Sequence, residues 1–403
     1  MKLKEQTITY RGNEVSAAYE NAYYLSATAP RMIRIRVSEI GNDIYDVCRI
    51  NYSTDDGHTW GEDQPYQVSF ATPAGMVRKG YGIPVVDPFS GRLVVLDTTS
   101  VLPTDGMLEA LSYTFPTYRV SDDGGITWLF EDRIIHYGDE YFAQYPLPSV
   151  WTGKNAVHYS NIPFFDRAGR LIVPTQITRL NPDGTLFCPP GALSFHEMLI
   201  LIGTWQDDSR LRWETSEKIV MEPDISTRGA IEGAVAEMPD GRFLMVMRGS
   251  NDGNPALPGH KWYCVSADGC RTWSRPQPWV YTDGTRFHSP SSYSTILPHS
   301  NGRYYWVGNI CDANPQGNGP DYPLVIGTID PESFLLQRDG MLEVDTYRPD
   351  DPAAVHLRNF SLYEERSSGD LVLRMTRLWV DKAGHMRGDA HRYRVVPSGE
   401  KTP

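Results

Sequence analysis

The chain has 403 residues, a net charge of −12, and 40% hydrophobic against 22% charged residues. It holds no lysine and arginine cluster interleaved with aromatics and no apolar run long enough to span a bilayer, so neither nucleic acid nor a membrane is an expected partner. Its 13 Phe, 23 Tyr and 10 Trp, spread among 35 Gly and 30 Pro, are the composition of short strands joined by many turns.

The opening stretch MKLKEQTITYRGNEVSAAYENAYYL lacks the apolar centre of a signal peptide. A cytoplasmic protein is therefore expected, or a secreted or periplasmic one if a leader has been removed. Within that stretch KEQTITYRG reads as a lone strand. Beyond it the chain divides into six similar units, at about 20–66, 78–136, 156–220, 229–280, 287–345 and 355–396. The last five each contain an apolar strand, a turn ending in Gly and a second apolar strand. These hairpins are YGIPVVDPFSGRLVVLD (81–97), NIPFFDRAGRLIVPTQ (161–176), EGAVAEMPDGRFLMVMR (232–248), YSTILPHSNGRYYWVGN (293–309) and FSLYEERSSGDLVLRMT (360–376). Three units also carry an acidic octapeptide: STDDGHTW (53–60), SDDGGITW (121–128) and SADGCRTW (266–273). A decayed copy, TWQDDSRLRW (204–213), keeps Asp208 five residues before Trp213.

Four-stranded units of this length, repeated radially, predict an all-β, six-bladed β-propeller of antiparallel blades. The lone N-terminal strand is predicted to close the ring against the last blade, and residues 1–403 to form one domain. The octapeptides recur at blade frequency, whereas a catalytic centre needs different residues at each position around a ring. They are therefore read as structural: aspartate accepts backbone N–H groups, glycine permits positive φ, and tryptophan packs between sheets. Cys48, Cys188, Cys264, Cys270 and Cys311 are odd in number and form no C-x-x-C pair, a pattern of reduced, buried thiols.

The octapeptide resembles the Asp-box (BNR) repeat of the sialidase superfamily, whose members are six-bladed propellers. The resemblance implies a carbohydrate-processing protein, while fold alone leaves the chemistry open.

Aligning the hairpins on their turn glycines brings five polar residues to one level of the second strand: Asp97, Gln176, Arg248, Asn309 and Thr376. The first strand opens with Gly82, Asn161, Glu232, Tyr293 and Phe360, just after Lys79, Tyr81, His158, Arg228, His288 and Arg358. If these levels ring the axis, their side chains converge on one mouth. The resemblance makes Arg248 a carboxylate-binding arginine and Glu232 the acid that polarises the nucleophile. It places the family's Tyr nucleophile at Phe360, so Tyr293, one blade earlier, becomes the candidate for that role. Arg31, in PRMIRI, is the nearest match to the first-blade arginine. Asn309 stands where a third arginine is expected, and Asp97 is the candidate replacement for the acid/base aspartate. Neither cofactor nor metal is expected, because no ligand spacing appears among the histidines.

The expected function is an exo-glycoside hydrolase releasing a terminal acidic sugar from a glycan. Glu232, Asp97 and Tyr293 are its catalytic candidates. Arg248, Arg31, Tyr81, Asn161, His158, Gln176, Asn309, His288 and Arg358 are its substrate-binding candidates. A uronate-glycan lyase with a Tyr or His base, and a non-catalytic glycan-binding propeller, are the alternatives.

Overall fold

A computed structural model of the chain describes residues 1–41, 44–66, 69–105, 110–136, 151–152, 155–192, 194–352 and 355–397. It is nearly all β, and its antiparallel sheets are the six blades of a propeller. Blade one is Ala17–Tyr24, Met32–Gly41, Ile44–Ser53 and Gln64–Tyr66. Blade four is Ile231–Glu237, Phe243–Arg248, Lys261–Ser266 and Gln277–Pro278. Blade five runs from Thr295–Pro298 through Tyr304–Asn309 and Leu324–Ile329 to Leu342–Asp345.

Blade six takes three strands from the C-terminal part of the chain, His356–Glu364, Leu371–Val380 and Ala390–Val396. Its outer strand, Lys2–Tyr10, comes from the N-terminus and pairs antiparallel with Ala390–Val396. The lone strand KEQTITYRG thus closes the ring.

Two blades depart from the simple hairpin pattern. In blade three the inner strand is split into His158–Tyr159 and Phe164–Phe165. In blade two a hairpin, Ser69–Thr72 with Gly75–Lys79, joins the sheet beside Ile83–Val86. It extends the second strand to Leu93–Leu102.

The core lies between successive blades. The cluster between blades four and five contains Ala234, Leu244, Trp279, Trp306 and Val325; the one between five and six contains Val307, Ile326, Phe360 and Leu373. Trp279 and Trp306 are fully buried and meet edge-on at 5.3 Å, a geometry that contributes about 0.5–1.5 kcal/mol beyond its area. Because each sheet is covered on both faces, its inner strands are continuous apolar runs such as Phe243–Met247.

The octapeptides form the turns between third and fourth strands. In the first, Asp55 accepts the Thr59 backbone N–H at 2.9 Å and its hydroxyl at 2.6 Å, and Trp60 Nε1 donates to Gly57 O at 2.9 Å. Asp123 and Asp268 repeat this pattern with Thr127 and Thr272. In an up-and-down blade these turns share one end with the first hairpin turn. The starts of the inner strands, where Glu232 stands, are at the other end.

Candidate active site

Glu232 opens the inner strand of blade four on a bulge, where the pairing shifts between Ile231 and Ala234. Its φ is 51°, a left-handed conformation that is costly for a residue with a Cβ. Its carboxylate lies 3.1 Å from Arg248 Nη1, with the two side chains 26% and 11% exposed. The Glu232 N–H donates to Gln176 Oε1 at 3.1 Å, and its carbonyl accepts from Asn161 Nδ2 at 3.3 Å. The same Asn161 amide donates to Ser294 O at 2.8 Å, while its oxygen accepts the Tyr293 hydroxyl at 3.1 Å. Blades three, four and five thus meet through Asn161, Gln176, Glu232, Arg248 and Tyr293.

Behind this group lies Lys261, the Cα partner of Arg248 on the third strand and fully buried. Its ammonium donates to Pro290 O at 3.3 Å and to Ser292 O, and Arg248 Nη1 donates to the intervening Ser291 O at 3.3 Å. Burial, reinforced by Arg248, pulls the Lys261 amine down to about 7. Sequence reasoning did not single out Lys261. Its one signal is the position of two cations directly opposite on neighbouring strands, an arrangement that needs compensation.

Tyr293 packs edge-on against Phe360 at 5.1 Å. Burial above all, with the nearby Glu232 carboxylate adding to it, pushes its phenol well above the usual tyrosine range. The phenol is therefore a protonated donor to Asn161 at neutral pH. Blade six carries its own bulge, between Arg358 and Ser361, and there Asn359 has φ 59°. The backbone counterpart of Glu232 on that blade is thus the exposed Asn359, while Phe360 is buried. Counting back from the turn glycine misplaced the alignment by one residue because the sixth turn is longer.

Asp97 belongs to a different part of the ring. It lies within Leu93–Leu102 instead of ending the strand, because the added hairpin of blade two prolongs the pairing past it. It is 8% exposed, and burial raises its carboxyl to about 7 against the opposing pull of Lys79 and Arg119. Lys79 itself is bound to Glu131. Asp97 is a second carboxyl group at the level of Gln176 and Arg248, one that is half protonated near neutrality.

The other sequence candidates fall elsewhere. Arg31 lies in the first hairpin turn of blade one, on the octapeptide face, where Nη1 donates to Asp123 O at 3.1 Å. It stands at the far end of the strands from Glu232. In blade one the buried Arg34 and the half-buried Arg36 lie beside Glu20 at 3.6 and 2.8 Å. Tyr81 is buried in the core between blades one and two, with Arg119 stacked on its ring at 4.6 Å. Asn309 is a fully buried strut: its amide donates to Asp321 O at 2.6 Å and Leu357 O at 3.0 Å, and its oxygen accepts from Ser292 Oγ at 2.8 Å. Its hydrogen bonds are spent on the protein. Arg358 lies 3.6 Å from the buried Asp321, which His356 also meets at 3.1 Å. His158 is half-buried, pairs with Gln176 through the backbone, and is pushed down to about 4 by burial. His288 stacks parallel on His260 at 6.1 Å. Of the five cysteines, Cys188 is exposed and the other four are buried.

A model of the BNR repeat-like domain matches residues 46–335. No curated protein matches the chain in sequence. Among solved structures, a Hadza microbial sialidase aligns with TM-score 0.59 and 14% identity, covering 94% of this chain and 65% of its own. This chain thus spans less than two thirds of that protein. The NanB sialidase of Streptococcus pneumoniae gives 0.61 and 14%, covering 97% and 70%. The intramolecular trans-sialidase of Ruminococcus gnavus gives 0.57 and 13%, covering 99% and 98%. At such identities the likeness is one of fold. With the family model spanning most of the blades and the six-fold ring in place, the chain belongs to the BNR repeat-like domain family and has the sialidase-type propeller fold.

Proposed function

We propose that the protein is an exo-acting glycoside hydrolase that removes a terminal acidic sugar, sialic acid or a related one, from a glycan. The observation that carries this reading is Glu232, held in a left-handed conformation beside Arg248 at the start of the inner strand of blade four. Strain of this kind persists where the surroundings enforce it, and such places cluster at functional sites. Arg248 offers a planar guanidinium suited to a substrate carboxylate, and Glu232 offers negative charge to an oxocarbenium-like transition state. Asp97, raised to about 7, suits the proton donor to the leaving group. Tyr293 stays protonated and bound to Asn161, so the reading assigns attack to water and predicts inversion at the anomeric carbon.

The test is a panel of aryl glycosides containing sialosides, uronides and neutral sugars, with the first-formed anomer followed by NMR. Turnover of the acidic members with inversion is expected. Release from neutral glycosides alone sinks the acidic-sugar reading, and retention returns Tyr293 to the nucleophile's role. An unsaturated product absorbing in the near ultraviolet, formed from a uronate polysaccharide, replaces hydrolysis with β-elimination.

A further inference from the structure

We propose that Lys261 is the second cation of the carboxylate site, and that an acidic ligand seated on Arg248 draws a proton onto the Lys261 amine as it binds. The proposal rests on the acidic-sugar reading above and extends it to the regulation of that site.

The geometry is unusual for a lysine. Its side chain is fully buried, and among the described residues no carboxylate oxygen lies within 4.0 Å of its nitrogen. Its hydrogen-bond partners are two neutral carbonyls, Pro290 O and Ser292 O. Among the described residues, the charged and titratable groups facing it are Arg248 from the second strand, Glu232 from the first, and Cys311 from the segment after the second strand of blade five. Asp321 lies beyond Cys311 and is engaged by His356 and Arg358. Protonation puts a charge in a place shielded from water, with only neutral carbonyls as its hydrogen-bond partners, and a carboxylate brought to Arg248 lowers that cost.

The linkage has a definite sign. The free amine sits near 7. A bound carboxylate favours the ammonium form and raises that value, so binding takes up a proton from solvent between about pH 7 and 9. The neutral –NH2 becomes –NH3+, and the buffer loses the proton. For a rise of about one unit, affinity for the anion falls roughly five- to tenfold between about pH 6.5 and 8.5. The 290–292 carbonyls accept hydrogen bonds from both cations, so the same protonation tightens the segment leading to Tyr293.

The experiment is titration calorimetry of the full chain with N-acetylneuraminic acid and with glucuronate, at about pH 7.5, in two buffers of unlike ionisation enthalpy. Wild type is expected to take up roughly half a proton per ligand. Lys261→Met and Lys261→Arg, one never charged and the other always charged, are expected to take up markedly less than wild type, the remainder being the share of Asp97, itself near 7, and to show a correspondingly weaker pH dependence across that range. Wild-type binding without proton uptake, or uptake undiminished in both variants, overturns the role of Lys261 and leaves the acidic-sugar reading standing. If neither acid binds wild type at millimolar concentration near pH 6.5, both fail together. The wild-type measurement needs no variant, so a folding defect in either substitution does not rescue the idea.

Discussion

Glu232 and Asp97 show how two carboxyl groups on one ring come to differ. Glu232 stands on a bulge within 3.1 Å of a guanidinium, whereas Asp97 is enclosed by an added hairpin. Glu232→Gln keeps the shape and removes the charge. If Glu232 stabilises the transition state, turnover falls at least about a hundredfold, a barrier rise of about 2.7 kcal/mol, with little change in ligand affinity. If it only neutralises Arg248, turnover survives and acidic ligands bind more tightly. Steady-state kinetics alongside calorimetry separates the two outcomes.

Asp97 carries a second expectation. Its folded value, about 7, lies above the ordinary carboxylate value, so the folded state holds a proton that the unfolded chain releases near pH 4. Stability is therefore greatest below about pH 4 as far as this group is concerned, and declines as pH rises toward 7. Asp97→Asn should remove that decline and raise stability at pH 8 by more than about 1 kcal/mol, measured by denaturant titration at several pH values. The same variant should abolish the alkaline limb of the rate profile if Asp97 donates the proton.

At the scale of the element, the octapeptide turn acts through hydrogen bonds that favour the ionised aspartate. The Thr59 hydroxyl leads the donors that hold Asp55 down to about 2, and the Thr127 hydroxyl and N–H hold Asp123 well below the usual carboxylate range. These groups contribute stability above the ordinary carboxylate value and lose it as pH falls through the depressed one. Asp123→Ala should lower the melting temperature by a few degrees at pH 7, by progressively less toward pH 2, and leave ligand affinity unchanged. A loss of affinity in the folded variant would move this turn into the site. The hairpin bulges are the other element with consequences. They put Glu232 and Asn359 in equivalent backbone positions on blades four and six, so one motif serves different side chains at different points on the ring.

For the whole molecule, the weak point of a propeller is its closure, and here the seam between blades six and one is more polar than the others. Glu20, fully buried, contacts Arg36 at 2.8 Å, Arg34 at 3.6 Å and Arg374. Arg36 also reaches Asp63 at 3.1 Å and the Thr9 carbonyl of the N-terminal strand at 3.0 Å. Burial lowers Arg34 and Arg374 to about 9, with neighbouring arginines adding to the effect. Removing one partner from such a cluster leaves uncompensated buried charge, at a cost of about 3–5 kcal/mol. Glu20→Gln is therefore expected to destabilise the fold by that order in chemical denaturation. Hydrogen exchange should rise first in Lys2–Tyr10 and Ala390–Val396. A small, uniform effect would mean that the apolar clusters alone hold the ring shut.

The repeats and their periodicity determined the ring, because each blade buries both faces and writes that burial as recurrent apolar runs around turn residues. The octapeptide's structural role, the closing N-terminal strand and the pairing of Glu232 with Arg248 across one hairpin followed from the same local pattern. What only the tertiary structure decided are the relations between blades. Arg31 belongs to the opposite face, since an arginine beside a strand does not reveal which end of the strand it occupies. Asn359 displaces Phe360 because a bulge and a longer turn shift the count by one. Asp97 is enclosed because a hairpin elsewhere in blade two extends its strand. Lys261 lies beside Arg248 with its amine enclosed because burial, unlike charge, depends on the neighbouring blade, and a lysine's sequence neighbours carry no record of the carbonyls that will face it.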